Sequence, residues 1–149
     1  MQVITALCLP KSYGEKAIFL ENAEKISRKA HDGQLRKNGM PYITHVEKVV
    51  EQLGQDDDAK TVGWLHDVLE DTSITTHDLV AAGIPENLIG EVEILTKKRE
   101  HTYSQYIENV KKSILAVKVK KADIIANLSD NPSNKQIVKL AKALIQLST

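Results

Sequence analysis

The segment from Trp64 to Thr72 constrains the fold of this chain more than any other. Just before and within it, apolar residues recur every three or four positions, which is typical of an amphipathic helix beginning at about Asp58. The segment also carries four side chains that can bind metal or transfer protons: His66, Asp67, Glu70 and Asp71. On one continuous helix, residues four apart share a face, so the pattern predicts His66 over Glu70 and Asp67 over Asp71.

Acidic side chains at the end of a helix are unfavourable unless a cation is present. Carboxylates there face the negative end of the helix dipole and repel one another, at a cost of roughly 0.3–1 kcal/mol each. A bound divalent ion reverses the sign of that interaction. The alternative interpretation is a solvated acidic helix end with an incidental histidine.

The length of the chain indicates one domain that comprises residues 1–149. Its composition gives no strong net charge that would attract an oppositely charged partner. The 20 basic and 20 acidic residues balance, so nothing favours nucleic acid or a membrane surface as a partner. The single cysteine, Cys8, excludes an intramolecular disulfide framework. No apolar run is long enough to cross a bilayer, and the segment from Met1 to Pro10 lacks the basic start of a signal peptide. We therefore expect a cytoplasmic protein.

The rest of the chain predicts further helices, and therefore an all-α bundle. Helix-capping pairs occur at Thr44 with Glu47, at Thr75 with Asp78 and at Thr102 with Gln105. The segment 114–128 is rich in apolar residues and should be mostly buried, and its short strand-like alternation at 117–120 has no second strand to pair with. A final helix is expected to direct one apolar stripe inward: Ile137, Leu140, Ala141, Leu144 and Ile145.

A metal site would need more ligands than His66 and Asp67, and two other residues are suitably placed. His45 falls in the first turn of a predicted helix, where its side chain can project past the helix end. Asp123 is an acid within an apolar stretch, where burial is costly unless the carboxylate is paired or coordinated. Taken alone, the position of His45 favours a surface side chain. For Asp123 the alternative is an ion pair with Lys120 or Lys121, which we consider the less favoured interpretation.

Two imidazoles and two carboxylates form a mixed nitrogen and oxygen ligand set. Such a set suits a borderline divalent ion such as Mn²⁺, Fe²⁺, Co²⁺ or Zn²⁺. Water on such an ion has a lowered pKa and becomes a nucleophile near neutral pH. Glu70 and Asp71, one turn beyond, could orient that water or accept its proton.

These residues resemble the H…HD…D signature of HD-domain metal-dependent phosphohydrolases. The resemblance is closer to the hydrolase domains of RelA/SpoT-type proteins and to the stand-alone small alarmone hydrolases, and it extends over about residues 15–130. The motifs that carry it are Ala30-His31-Asp32-Gly33-Gln34, Arg36-Lys37, Pro41-Tyr42-Ile43-Thr44-His45, Leu65-His66-Asp67-Val68-Leu69-Glu70-Asp71-Thr72, and Val119-Lys120-Lys121-Ala122-Asp123 with Asn127.

The resemblance implies an all-α HD-domain helical bundle that removes the 3′-pyrophosphate of (p)ppGpp, usually with Mn²⁺. The products are GDP or GTP and pyrophosphate. By position, the family implies metal ligands at His45, His66, Asp67 and Asp123, and water-activating acids at Glu70 and Asp71. It also implies contacts with the guanine nucleotide at Arg36, Lys37 and Asn127; without the resemblance, Arg36 and Lys37 would be interpreted as a solvated basic loop.

Two positions differ from the family pattern, and two other functions remain open. Ile124 replaces a frequent arginine, and Asp130 replaces a small polar residue, so that its charge would disfavour a nearby phosphate. The chain could instead hydrolyse another nucleotide or phosphate ester, or sense a nucleotide without turnover. The sequence contains no Gly-x-x-x-x-Gly-Lys phosphate loop, so we do not expect it to use ATP.

Overall fold

The structure is a computed structural model that describes residues 11–149, and side chains from Gly14 onward. The segment from Met1 to Pro10, including Cys8, lies outside the described residues. Helices account for most of the described part, which contains no strand and a single isolated bridge between Leu35 and Pro41. The all-α prediction is confirmed. The helices are α1 (Lys11–Ala30), α2 (Ile43–Glu51), α3 (Asp57–Leu65), α4 (Val68–Asp71), α5 (Thr76–Ala81), α6 (Glu86–Ile94), α7 (Tyr103–Val110), α8 (Ile114–Leu128) and α9 (Asn134–Ser148).

Helix α3 lies at the centre of the bundle and packs against α1, α2, α6 and α8. Every residue from Thr61 to Leu65 is buried. Gly63 allows the close approach of α2, because a Cβ at this position would lie 2.7 Å from Leu53 Cδ1 and 3.4 Å from Val50 Cγ2. The centre of the fold is therefore a helix whose second half is buried on all sides.

The prediction of one continuous helix through Thr72 is wrong, because the chain leaves the helix at the His-Asp pair. Helix α3 ends at Leu65, and the one-turn helix α4 begins at Val68. The His66 ring Nδ1 donates a hydrogen bond of 2.7 Å to the Gly63 carbonyl, the group that would accept the Asp67 amide in an unbroken helix. His66 and Asp67 therefore occupy a turn between two helices.

Helices α2 and α8 pack against each other and against α3, and so bring distant parts of the chain together. Helix α8 has the predicted bounds, and the strand-like alternation at 117–120 lies within it. The capping pairs of Thr75 with Asp78 and of Thr102 with Gln105 both form as predicted. The predicted pair of Thr44 with Glu47 is wrong, because α2 begins at Ile43 and the Thr44 hydroxyl donates to the Pro41 carbonyl instead. Among residues 11–149, no helix is both long and apolar enough to traverse a lipid bilayer.

The predicted inward face of the last helix is largely wrong. The residues that α9 buries are Ala143 and Leu147, at 2% and 7% exposure, while Ile137 and Ile145 are 42% and 66% exposed. Leu140 and Leu144 are partly buried against the core. The helix packs mainly against α7 and α8, which cover one edge of its apolar stripe.

Replacing Asp56 with alanine should destabilise the central helix. The Asp56 carboxylate caps α3 by accepting a hydrogen bond of 3.0 Å from the Ala59 amide, and it pairs with Lys118 at 2.9 Å. We expect Asp56→Ala to lower the free energy of unfolding by about 1 kcal/mol, measured by urea denaturation at neutral pH. Asp56→Asn, which retains a capping oxygen, is the control and should lose clearly less.

The same contacts make this effect dependent on pH. The Ala59 amide, together with Lys118, holds the pKa of Asp56 below its usual 3.8. A lowered carboxylate pKa contributes stability above the unfolded-state pKa, and that stability is lost as pH falls through the folded-state pKa. The difference between wild type and Asp56→Ala should therefore shrink on acidification; a constant difference would exclude an ionised cap.

Candidate functional site

Three helices place two imidazoles and one carboxylate at a common point. His45 lies in the first turn of α2, His66 at the end of α3, and Asp123 within α8. All three are buried, at 3%, 3% and 6% exposure. Each offers a ligand atom within 4.8 Å of the others; His45 Nε2 lies 2.9 Å, and His66 Nε2 3.6 Å, from Asp123 Oδ1. The structure thus contains a group of residues that could bind a metal.

The hydrogen bonding of His66 shows that this group suits a cation. Because Nδ1 donates to the Gly63 carbonyl, Nε2 of the neutral ring carries a lone pair. The Nε2 atom lies 2.9 Å from Asp67 Oδ2 and is buried without a hydrogen-bond partner. With the ring neutral, several acceptors converge at this point, an arrangement that either a divalent ion or a proton on Nε2 would stabilise.

The charge balance around His66 leads to the same conclusion. Burial by itself would lower the pKa of the ring, but the carboxylates of Asp67 and Asp123 outweigh burial and hold that pKa well above its usual range. Burial would likewise raise the pKa of Asp67, yet attraction to His66 keeps it below its usual value. The two acidic groups thus favour a positive charge at this position.

Asp67 lies beside the three-residue group but outside it. The Tyr42 hydroxyl donates a hydrogen bond to Asp67 Oδ2 and lies 3.4 Å from Asp71 Oδ2. Tyr42 therefore links a predicted ligand with a predicted catalytic acid. Tyr42 is not among the predicted site residues, although its position three residues before His45, in the same helical turn, could have indicated a role.

The buried carboxylate of Asp123 is held by two donors besides the histidines. Lys120 Nζ lies 2.7 Å from Oδ2, and Asn127 Nδ2 donates a hydrogen bond of 3.1 Å to Oδ1. The ion pair with Lys120, which we had considered less favoured, is therefore present together with the group of possible ligands. Burial opposes ionisation of Asp123, but the Lys120 ammonium holds its pKa well below the usual range.

The acidic pair faces the same cleft from α4. The Lys97 amide donates a hydrogen bond of 2.7 Å to Glu70 Oε1, which fixes one oxygen of that carboxylate. Burial raises the pKa of Glu70, and the charges of Asp67 and Asp71 add to the rise. Burial and the charge of Asp67 also raise the pKa of Asp71. Both acids are therefore better proton acceptors than ordinary surface carboxylates.

Of the three predicted nucleotide contacts, Arg36 and Asn127 line the cleft and Lys37 does not. Arg36 Nη2 donates to Asn127 Oδ1 at 3.1 Å, and Arg36 Nε lies 3.0 Å from Asp130 Oδ2. Asp130, expected to disfavour a phosphate, is thus neutralised by Arg36. Lys37 is exposed and does not line the cleft, so the structure does not bring it to the other site residues.

One cleft of about 410 Å³ joins these groups. This volume is within the range of small-molecule sites. Two tyrosines that sequence analysis did not select, Tyr103 and Tyr106, also line it. Their positions three apart on α7 mark one helix face, but nothing in the sequence shows that this face meets α8. The polar and charged residues that line the cleft are Arg36, Tyr42, His45, Asp67, Glu70, Asp71, Lys97, Tyr103, Tyr106, Lys120, Asp123, Asn127, Asp130, Gln136 and Lys139.

Comparison with curated proteins shows bacterial relatives, although no family model matches the chain. The chain is 35% identical over 115 residues to a guanosine-3′,5′-bis(diphosphate) 3′-pyrophosphohydrolase of Haemophilus influenzae, and 34% identical over 126 residues to one of Aquifex aeolicus. The matches cover 73% and 82% of this chain, but 17% and 18% of the relatives. The chain therefore spans less than a fifth of the length of these proteins.

A solved structure matches over nearly the full length of both chains. It is described as a metazoan orthologue of SpoT that hydrolyses ppGpp, and it superposes with a TM-score of 0.73 at 27% sequence identity. The match covers 88% of this chain and 85% of the other. The chain is therefore a homologue of the SpoT- and RelA-type (p)ppGpp 3′-pyrophosphohydrolases, and it has the HD fold of this structural neighbour.

Proposed function

We propose that this protein is a metal-dependent hydrolase that removes the 3′-pyrophosphate of (p)ppGpp in the cytoplasm. The observation that carries the proposal is the cleft itself. The ligand atoms of His45, His66 and Asp123 lie within 4.8 Å of one another. The acids Glu70 and Asp71 line the cleft together with His45 and Asp123, and so does Arg36. Homology to proteins that carry this activity in their names supports the choice of substrate.

The proposed metal ligands are His45, His66, Asp67 and Asp123. Their nitrogen and oxygen donors suit a borderline divalent ion, and we propose Mn²⁺. When bound, such an ion lowers the pKa of a coordinated water and stabilises negative charge on phosphate. The hydrogen bonds of His66 to the Gly63 carbonyl and of Asp67 to Tyr42 hold two of these side chains in place.

Glu70 is the proposed proton acceptor. The Lys97 amide fixes Oε1, and the raised pKa of the carboxyl makes it more basic than an ordinary glutamate. Asp71, held close to the Tyr42 hydroxyl, would assist in orienting the water. A nucleotide sensor without turnover would have no need for such a pair beside the metal ligands.

Arg36 and Asn127 are the proposed contacts for the guanine nucleotide. The guanidinium of Arg36 is fixed along one edge by Asn127 and Asp130. A planar cation held in this way can stack on a base at little further cost in side-chain entropy. Since Asp130 neutralises much of its charge, Arg36 is better suited to the base than to a phosphate. Lys37 stays a prediction from the family, and as an exposed side chain it could reach only the outer part of the nucleotide.

The first prediction concerns the reaction itself. With Mn²⁺ present, the wild-type protein should convert ppGpp to GDP and pyrophosphate, which chromatography of the nucleotides can follow. Asp67→Ala should lose metal affinity and turnover together, because it removes a ligand and reduces the negative charge of the site. Release of phosphate from other nucleotides, with ppGpp left intact, would indicate a different phosphohydrolase; binding of ppGpp without turnover would indicate a sensor.

The second prediction separates proton transfer from metal binding. Glu70→Gln keeps an oxygen for the Lys97 amide but cannot accept a proton, so kcat should fall by roughly 10²–10⁴-fold while Mn²⁺ affinity stays nearly unchanged. Glu93→Gln, on the exposed surface of α6, is the matched control and should behave as wild type. Unimpaired turnover of the Glu70 variant would remove this residue from the mechanism.

The third prediction concerns recognition of the nucleotide. Arg36→Ala removes the proposed stacking surface and the positive charge beside Asp130, so KM for ppGpp should rise by about tenfold or more, with a smaller effect on kcat. Steady-state kinetics would measure both constants. Arg99→Ala, at an exposed arginine, should leave KM unchanged, and an equal effect of the two variants would contradict a specific role for Arg36.

A further inference from the structure

Lys120 is a cation inside the cleft for which the proposed reaction has no role. Its side chain is 13% exposed, and it precedes Asp123 by three residues on α8. The ammonium lies 5.2 Å from the centre of the Tyr106 ring, and the Tyr106 hydroxyl is itself fixed to the Leu95 carbonyl at 2.7 Å. The charged end of Lys120 is therefore held in one position, by an ion pair on one side and an anchored aromatic ring on another.

The two oxygens of Asp123 have different surroundings because of this position. Oδ1 lies 2.9 Å and 3.6 Å from the two histidine Nε2 atoms, on the side of the candidate metal site. Oδ2 lies 2.7 Å from the Lys120 ammonium, a distance typical of a strong charge-assisted hydrogen bond. Oδ1 is thus the oxygen in contact with the other possible ligands, and Oδ2 is the one held by Lys120.

We propose that Lys120 is a positioning residue that restricts Asp123 to ligation through Oδ1 and so sets the selectivity of the site against large cations. This inference rests on the proposed metal centre. Ca²⁺ takes six to eight oxygen ligands at about 2.3–2.6 Å, often with both oxygens of one carboxylate. Smaller borderline ions accept imidazole nitrogen and single carboxylate oxygens. An Asp123 whose second oxygen is occupied therefore disfavours Ca²⁺ more than Mn²⁺.

Selectivity is the property that distinguishes this role from two others. If Lys120 acted only through its charge, its removal would make the site more negative and strengthen the binding of all divalent ions alike. If it acted only as packing, its removal would weaken the binding of all of them alike. Release of Oδ2 instead gives Asp123 a second ligand atom that favours Ca²⁺ in particular.

The test measures metal affinity without nucleotide, so that it does not depend on the proposed substrate. Isothermal titration of metal-free protein with Mn²⁺ and with Ca²⁺ gives the ratio of the Ca²⁺ Kd to the Mn²⁺ Kd. In Lys120→Met, which retains most of the side-chain volume, we expect this ratio to fall by about tenfold or more. Lys120→Arg, which keeps a charged donor, should retain most of the selectivity. Lys121→Met, at the adjacent partly buried lysine, is the matched control and should keep the wild-type ratio.

The outcomes separate this inference from the proposed function. An unchanged or increased ratio in Lys120→Met would overturn the role of Lys120, even if the protein hydrolyses ppGpp. A wild-type protein that binds neither ion would overturn the metal centre and this inference together. Circular dichroism and thermal denaturation of the metal-free variants show whether they fold; if Lys120→Met does not, Lys120→Leu also lacks a donor and provides the same comparison.

Discussion

The buried carboxylate of Asp123 is the constraint on which the site depends. A charged group at 6% exposure is costly unless donors or a cation compensate it. The structure supplies Lys120 on one oxygen, and Asn127 together with the imidazole of His45 near the other. Lys120 and Asn127 lie on α8 itself, whereas His45 comes from α2, so full compensation of the charge requires that these two helices pack together.

The sequence could predict those features of the site that follow from the free-energy cost of placing a charged side chain among apolar neighbours. An acid within an apolar helix needs a partner, and this predicted a special environment for Asp123. For His45, position alone favoured a surface side chain, and only the family pattern selected it; the structure buries it at 3% exposure. The turn at His66 and Asp67 could not be predicted, because it depends on a side chain that takes a backbone acceptor within an otherwise helical pattern. Periodicity also could not show which edge of α9 is covered, since that depends on where α7 and α8 lie.

The hydrogen bonds of Asn127 join the two ends of the cleft. Its carbonyl oxygen accepts from Arg36, and its amide nitrogen donates to Asp123. The orientation of the amide is fixed by these partners, since only oxygen can accept and only nitrogen can donate. The proposed base-binding residue and a proposed metal ligand are thus separated by one side chain. Asn127 was selected as a nucleotide contact, and the structure adds that it also supports both of its neighbours.

The missing side chain at Gly63 limits how this protein can be engineered. Replacing a helical glycine with alanine is a common way to stabilise a protein, because it reduces the entropy of the unfolded chain. Here the added methyl group would collide with the Leu53 side chain. The Gly63 carbonyl also orients His66. A shift of α3 that relieved the collision would move an imidazole as well. The position is therefore one where gains in thermal tolerance and retention of the site's geometry oppose each other.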